Sequence, residues 1–504
     1  MYDVAVIGAG LGGLMAAAKL ARAGRRVAVL EKKALPGGTS YIFRRGGYAF
    51  PMGPLSFSFP GRVRALLAEA GVEETLGLRR SSFEVRMPGL DVVISRPLDE
   101  LEAGLARLYP GEAAGLARFF SALRKGIAEA GDADLRHPDC AASRGSAKAV
   151  QLAAGFSEER LRSVGDLART PAAAVLDPLI SSVALKNLLG SMGSEPPRMS
   201  MLNLALMWNV MSGEGIWSPE RGVHVLADLL RERFLHAGGE LRQGTAVRRI
   251  VIEAGRAAGV VTAAGDVVDA GLVVSNADYK TTFLELVDPA DSAGLDLDRL
   301  RAAPYTESEL CVYLGLRSGE ADLSAMRADH LFYRHETGSG ESGLEDFDRR
   351  EIEICLWSRK APGLAPRGRD AIVLRAGFPY EHFASWRLAE KKRREGYAEY
   401  KKRLASDLVR AAERVLPGLS GAVEVMEAAT PLTYRDWGGR FAGSIAGWSW
   451  EAGASAGLPG RVLVRTPVPG LLVAGAYATT ELVLGGVPTA LFTGSLAADL
   501  AMSF

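Results

Sequence analysis

Apolar and polar positions follow different rhythms along this chain of 504 residues, and each rhythm predicts a different element. The opening run Tyr2-Asp3-Val4-Ala5-Val6-Ile7 meets a glycine turn, a small-residue helix and then Val27-Ala28-Val29-Leu30, which closes on Glu31. Short β-rich runs flanking a helix predict a parallel βαβ unit. From 61 to about 215 the apolar spacing is mainly helical, as in Val63-Arg64-Ala65-Leu66-Leu67-Ala68-Glu69-Ala70 and across 101–120. Residues 219–234 give a turn and an amphipathic helix. A period of two then returns over 247–252, 260–262 and 267–274, punctuated by Gly255 and Gly265. A mixed segment follows to about 455, Leu471-Leu472-Val473-Ala474 makes one last buried strand, and a helix spans about 488–501. The pattern predicts an α/β protein: one Rossmann-like cofactor domain built discontinuously from 1–60, 215–285 and 456–504, and a mixed α+β substrate domain capped by helices from 61–214 and 286–455.

The turn Gly8-Ala9-Gly10-Leu11-Gly12-Gly13 carries the first chemistry. Gly8 permits the sharp exit from the strand, Gly10 lets backbone approach a pyrophosphate, and Gly13 lets helix and strand pack closely. Phosphates would rest on the amides at the positive end of the helix beginning near Leu11. Glu31 lies about 20 positions beyond the last glycine, where an acidic side chain accepts from an adenosine ribose and disfavours a 2′-phosphate. A second copy of the spacing, Gly338 to Gly343, precedes a charged stretch with no small-residue helix, so it reads as a loop. Past Glu31, the pair Gly37-Gly38 again admits a phosphate, with hydroxyls at Thr39 and Ser40, and Gly53-Pro54 follows. Two ordinary turns are the plainer alternative, but a cofactor larger than NAD needs contacts along such a path.

Composition narrows the class. Hydrophobic residues make up 48% of the chain and the formal net charge is +1, which gives no long-range attraction for nucleic acid. Cys140, Cys311 and Cys355 form no C-x-x-C and suit a reducing, cytoplasmic compartment. A first strand at Tyr2 leaves no room for a secretory segment, and polar residues interrupt the most apolar stretches, 172–189 and 199–210. Those stretches read as buried or lid helices. His137, His224, His236, His330, His335 and His382 show no metal-ligand spacing. The basic run Lys391-Lys392-Arg393-Arg394 and Lys401-Lys402-Arg403, interleaved with Glu390, Glu395 and Glu399, reads as a solvated helix face. Peripheral contact with an anionic membrane is the sharper alternative.

Taken in order, these motifs resemble one flavoprotein group. They include Gly8 to Gly13 with Glu31, Gly37-Gly38, Gly53-Pro54, Trp217-Ser218-Pro219-Glu220-Arg221-Gly222, and Gly238-Gly239-Glu240-Leu241 with Val247. Ser275-Asn276-Ala277-Asp278 and the closing run from Thr466 to Ala476 complete the set. The chain resembles the phytoene desaturase, carotenoid isomerase and retinol saturase group of the amine-oxidase-like FAD superfamily. The resemblance implies non-covalent, extended FAD. It implies a binding set of Gly8, Ala9, Gly10, Leu11, Gly12, Gly13, Glu31, Lys32, Gly37, Gly38, Thr39, Gly53, Pro54, Val247, Asn276, Gly475, Ala476, Gly486 and Val487. The last helix would point end-on at the flavin and stabilise negative charge on it.

Two departures fall where substrate would meet flavin: an Asp common after the final glycine is Ala476 here, and the loop from Tyr477 to Leu484 is long and apolar. Tyr477 and Glu481 are the candidate proton donors or acceptors, with a structural hydrogen-bonding role as the favoured reading of each. Met199, Met201, Met207 and Met211 are candidates to line an adaptable tunnel, with ordinary core packing as the alternative. The implied activity is oxidoreduction at carbon-carbon bonds of a long apolar, isoprenoid-like substrate, by desaturation, saturation or isomerisation. A quinone or oxygen would restore the flavin. A flavin amine oxidase and a flavin-free isoprenoid carrier of the GDP-dissociation-inhibitor type remain the competing classes.

Overall fold

The computed structural model describes residues 1–131, 158–336, 343–454, 458, 462–480 and 485–504. Strand β1 (Tyr2–Ile7), helix α1 (Leu11–Arg22) and strand β2 (Val27–Leu30) form the expected βαβ unit, with Val4 opposite Val27 and Ile7 opposite Leu30 in parallel register. The strands are apolar because both faces are covered. Helix α1 packs between the helices Val225–His236 and Gly486–Met502, which explains its near-continuous burial from Leu11 to Ala21 and its small residues. Gly13 and Gly494 mark the closest approaches. A Cβ at Gly13 would lie 2.1 Å from the Gly8 carbonyl oxygen, and one at Gly494 would lie 2.2 Å from that of Gly12.

The cofactor-side sheet has seven strands. Glu240–Arg242, β2, β1 and Val267–Ser275 run in that order, and Leu471–Val473 adds in parallel beside the end of Val267–Ser275. Arg256–Thr262 and Val247–Glu253 continue from the start of Val267–Ser275 as an antiparallel meander. The parallel strands thus end together at Ile7, Leu30, Ser275 and Val473, beside the glycine turn, the edge at which open α/β sheets bind ligands.

A second seven-stranded sheet orders Val423–Ala429, Ser308–Arg317, Arg369–Phe378, Ile352–Cys355, His330–Tyr333, Phe83–Met87 and Leu90–Val93. Only the pairing of His330–Tyr333 with Phe83–Met87 is parallel. Its period of two sorts Leu310, Val312 and Leu314 against the helix Tyr397–Glu413, while Cys311 and Tyr313 face Tyr48, Phe50 and Trp357. Helices Leu98–Leu108, Ala113–Gly131, Val183–Ser191 and Met201–Asn209 cap the far end around Phe83, Val85 and Val92.

Several local expectations are corrected. The segment from 61 contains strands Leu78–Arg80, Phe83–Met87 and Leu90–Val93 between its helices, the last two joined across Pro88-Gly89. Glu84 in this pair is fully buried, its charge met by Arg327 at 2.8 Å. The helical stretch over 101–120 breaks at Tyr109-Pro110, where proline cannot donate an amide, and 172–189 divides into Ala172–Leu176 and Val183–Ser191 around Pro178. The basic run does not form one helix face. Arg387–Ala389 and Lys392–Arg393 make a small hairpin turning at Lys391 (φ +58°), and only Lys401 to Arg403 lie on the helix Tyr397–Glu413. Residues 338–342 of the second glycine motif, with Cys140 and His137, lie outside the described residues.

The contact between the first and last helices yields a prediction. Gly494→Ala forces its Cβ against the Gly12 backbone and should destabilise the fold by about 1–3 kcal/mol, the usual effect of overpacking. A denaturant midpoint equal to that of the unsubstituted chain would contradict this packing.

Candidate functional site

The glycine turn is shaped around the side chain of Asn276, a residue that follows the strand Val267–Ser275 and whose backbone N–H donates to the Ile7 carbonyl at 2.8 Å. A Cβ at Gly10 would lie 2.6 Å from Asn276 Nδ2, one at Gly12 2.7 Å from Oδ1, and one at Gly475 2.9 Å from Oδ1. Gly8 itself needs φ +90°. The Glu31 carboxylate, 4% exposed, accepts from the amide of Ala9 at 2.7 Å and from that of Lys33 at 2.9 Å, so it braces the turn as well as facing the cavity. The Gly37 amide donates to the Ala9 carbonyl at 2.6 Å, bringing the second glycine pair alongside the first.

A cavity of about 1150 Å³ runs from this turn, somewhat larger than an ordinary small-molecule cleft of roughly 300–1,000 Å³. Gly8, Gly10, Leu11, Gly12, Glu31, Lys32 and Val247 line one end, and Gly37, Gly38, Thr39, Gly53, Pro54 and Asn276 continue it. Gly475, Ala476, Tyr477, Gly486 and Val487 flank it further on, where the last helix opens onto the space. Ala9 and Gly13 are placed behind the lining, and Glu481 lies outside the described residues. The far end is apolar, walled by Met192, Leu206, Met207, Val210, Met211 and Ile216. Of the four candidate methionines, Met207 and Met211 reach the cavity, whereas Met199 and Met201 are packed into the cap core.

Glycine cradle, braced carboxylate and terminal helix together fit a dinucleotide carrying a large ring system. The model of the flavin containing amine oxidoreductases matches residues 11–502. The chain belongs to the flavin containing amine oxidoreductase family. Relatives of this flavoprotein include the zeta-carotene-forming phytoene desaturase of Myxococcus xanthus, 27% identical over 467 residues, which cover 87% of this chain and 82% of that protein. They also include the chloroplastic prolycopene isomerase of Daucus carota, 25% identical, over 94% of this chain and 76% of the isomerase. Among solved structures, an oxidoreductase of Methanosarcina mazei shares the fold at a TM-score of 0.60 and 18% identity, covering 97% of this chain and 99% of that one. The chain is accordingly an enzyme of the flavin-dependent oxidoreductase class.

The flavoprotein's cavity also has a polar wall that the sequence pattern did not disclose, formed by Glu309, Arg375 and Tyr434. Arg375 interrupts the apolar run from Ala371 to Phe378, and Glu309 opens its strand beside Ser308, which are weak local signs of them. Tyr434 donates to Glu309, and Arg375 stands 3.7 Å from both Glu309 and Glu353 while its Nη2 donates to the Gly53 carbonyl at 2.6 Å. Beside it, His330 Nδ1 donates to Glu353 at 2.6 Å, and its Nε2 accepts from Lys360 Nζ at 2.8 Å; Lys360 Nζ also reaches the Leu55 carbonyl at 3.3 Å. Burial, then the Lys360 charge, push the His330 imidazole down to about 4. Burial alone would raise Glu353, but the His330 bond and Arg375 hold it at about 2. Two buried cations therefore pin the carbonyls of the strip containing Gly53 and Pro54. Tyr477 is buried, its hydroxyl 2.7 Å from Ser444 Oγ and 3.2 Å from the Ser444 carbonyl, so a structural partner already occupies it. The Cys311 and Cys355 thiols are buried and pushed up to about 12, which leaves them inert. Among the described residues no group of His, Cys, Asp and Glu is arranged to hold a metal, and no helix is long and apolar enough to cross a membrane.

His330 makes acid sensitivity predictable. Its folded pKa of about 4 lies below the unfolded value of about 6.5, so the native state binds fewer protons between them and stability falls as the pH drops from about 6.5 toward 4. Urea midpoints measured across this interval should decline more steeply for the unsubstituted chain than for His330→Gln. Parallel slopes would show that His330 is not buried neutral.

Proposed function

We propose that the chain binds FAD non-covalently in an extended conformation and acts on carbon-carbon bonds of a long apolar, isoprenoid-like molecule. The observation that carries this reading is the continuity of one cavity from the braced glycine turn, past Gly53 and the last helix, into an apolar chamber edged by Met207 and Met211. The names of the desaturase and isomerase relatives support a carotenoid-like substrate class. In this reading 1–60, 215–285 and 456–504 form the FAD-binding domain, and 61–214 with 286–455 form the substrate domain.

Each cofactor contact follows from the chain's own groups. Gly8, Gly10, Gly12 and Gly13 keep the turn open for the pyrophosphate, with the amides of Ala9 and Leu11 beside it. Glu31 and Lys32 meet the adenosine ribose, and Val247 the adenine. Gly37, Gly38, Thr39, Gly53, Pro54 and Asn276 guide the rest of the molecule toward Gly475 and Ala476. Gly486 and Val487 turn a helix N-terminus toward the ring, where it favours negative charge. When bound, the flavin supplies hydride exchange, and a quinone or oxygen completes the electron balance. The protein's part is orientation and exclusion of water by the cap and its methionines.

Mass analysis of products from a panel of polyenes and polyprenyl lipids, incubated with the oxidised flavoprotein in the presence of a quinone or oxygen and, separately, with the anaerobically photoreduced flavoprotein, tests the reading. Mass loss of two hydrogens, gain of two, or retention with altered geometry identifies desaturation, saturation or isomerisation. Hydrogen peroxide release with amines and no product with any polyene would instead make the chain an amine oxidase. Met207→Trp, which narrows the apolar chamber, should lower kcat/KM for the longest substrate by roughly tenfold or more and leave the flavin spectrum unchanged. Equal kinetics across substrate lengths would place the substrate elsewhere.

A further inference from the structure

We propose that Arg440 is an anion clamp that joins the glycine turn in holding the cofactor pyrophosphate. This rests on the FAD reading above and adds to it a residue some 400 positions from the turn, with no motif around it.

The cavity stretch near the turn gathers positive charge. Lys32, Lys33, Lys391 and Arg440 all line it. Burial lowers Lys33 to about 8, offset in part by Glu31, and the charges of Lys32, Arg440 and Lys391 push it the same way. The acidic groups nearby are occupied elsewhere. Glu31 braces the Ala9 and Lys33 amides, and Asp278 accepts from the amides of Thr281 at 2.8 Å and Phe441 at 2.7 Å. Asp436 pairs with Arg387 at 2.9 Å and Arg393 at 2.8 Å, and Glu285 pairs with Arg435. Lys32, Lys33, Lys391 and Arg440 still outnumber Glu31, Asp278 and Glu390, the lining carboxylates not held in ion pairs, and an anion joining them relieves the excess positive charge.

Arg440 is the member placed to meet a diphosphate. Its Nη2 donates to Thr39 Oγ1 at 2.8 Å, and its guanidinium carbon stands 5.0 Å from the centre of the Tyr477 ring. No carboxylate stands within ion-pair distance of it among the described residues, although its charge acts on nearby Asp278. Thr39 follows the Gly37-Gly38 pair, which lies against Gly10, so the guanidinium is held at the cavity wall close to the turn. A planar fork with donors to spare suits a diphosphate better than a point charge does.

The segment carrying Arg440 is held at both ends. Asp436 also accepts from the Lys391 amide at 2.9 Å, anchoring the start to the Arg387–Arg393 hairpin, and Asp278 anchors Phe441 to the cofactor side. Between them Gly438 and Gly439 let the backbone fold back. A Cβ at Gly438 would strike the Tyr434 carbonyl oxygen at 2.3 Å, and one at Gly439, with φ +67°, would lie 2.9 Å from Lys32 Nζ. Arg440 is thus preorganised before any anion arrives, which reduces the ordering cost of binding.

The test is titration of the flavin-stripped chain with FAD, followed by flavin fluorescence, with ADP, adenosine and riboflavin as competitors. Arg440→Met should weaken FAD and ADP by about ten- to a hundredfold, the range for one charge-assisted hydrogen-bonding group, and leave adenosine and riboflavin unchanged. Its FAD affinity should also depend less steeply on salt. Equal FAD and ADP affinity in the two proteins, or an equal loss for adenosine, overturns the clamp. If Arg440→Met does not fold, Arg440→Lys carries the test, with a smaller loss for FAD and ADP expected and none contradicting it. Failure of the unsubstituted chain to bind FAD at all would overturn the cofactor reading instead.

Discussion

Glycines from two distant stretches close on the side chain of Asn276, and the geometry of the site depends on that crowding. Gly8, Gly10 and Gly12 approach it from the first turn and Gly475 from the last strand, and a Cβ at Gly10, Gly12 or Gly475 would come within 3 Å of the Asn276 amide group. Because real Cβ atoms do not tolerate such distances, the amide fixes how near the ends of β1, Val267–Ser275 and Leu471–Val473 can lie. The open trough left above the turn amides follows directly. Glu31, bonded to the Ala9 amide, then prevents the turn from relaxing into that space.

The second sheet meets this trough through polar pins. Trp357 Nε1 donates to the Ala49 carbonyl at 3.1 Å, Arg375 to that of Gly53, and Ser218 and Lys360 to that of Leu55. An apolar contact is non-directional and tolerates sliding, whereas a buried cation bonded to a named carbonyl does not. Removing the carboxylates that face Arg375 leaves its charge uncompensated, a penalty of about 3–5 kcal/mol, whereas unpairing neutral Trp357 or Ser218 costs about 1–3 kcal/mol. The strip from Ala49 to Leu55 is thereby held in register with the glycine turn, although the two rest on different sheets. The apolar chamber beyond it is walled by adaptable methionines instead.

Local patterns made the cofactor side legible. The βαβ unit, the returning strands and the last helix each carry their period and turn residues within a few positions, and their boundaries moved by only a few residues. What was missed depends on partners distant in sequence. Phe83–Met87 alternates properly, with Glu84 on the face opposite Phe83 and Val85, but that face is covered too, so the charge makes sense only with Arg327 beside it. Lys391 to Arg394 look like a solvated face, yet Asp436 draws Arg393 and the Lys391 amide into a hairpin. The wall of Glu309, Arg375 and Tyr434 comes from two strands and a helix, so no window of sequence contains it. Met201 and Met207 share one helix, but only its rotation decides which meets the cavity.

The most direct measurement of the central claim is the flavin content of the purified chain after reconstitution, read by absorbance before and after acid precipitation. One FAD per chain, with a spectrum perturbed from that of free FAD and released intact into the supernatant, is the predicted result. A chain that gains no perturbed flavin absorbance at saturating FAD, or that retains the flavin in the acid pellet, would contradict non-covalent binding in the trough around Asn276.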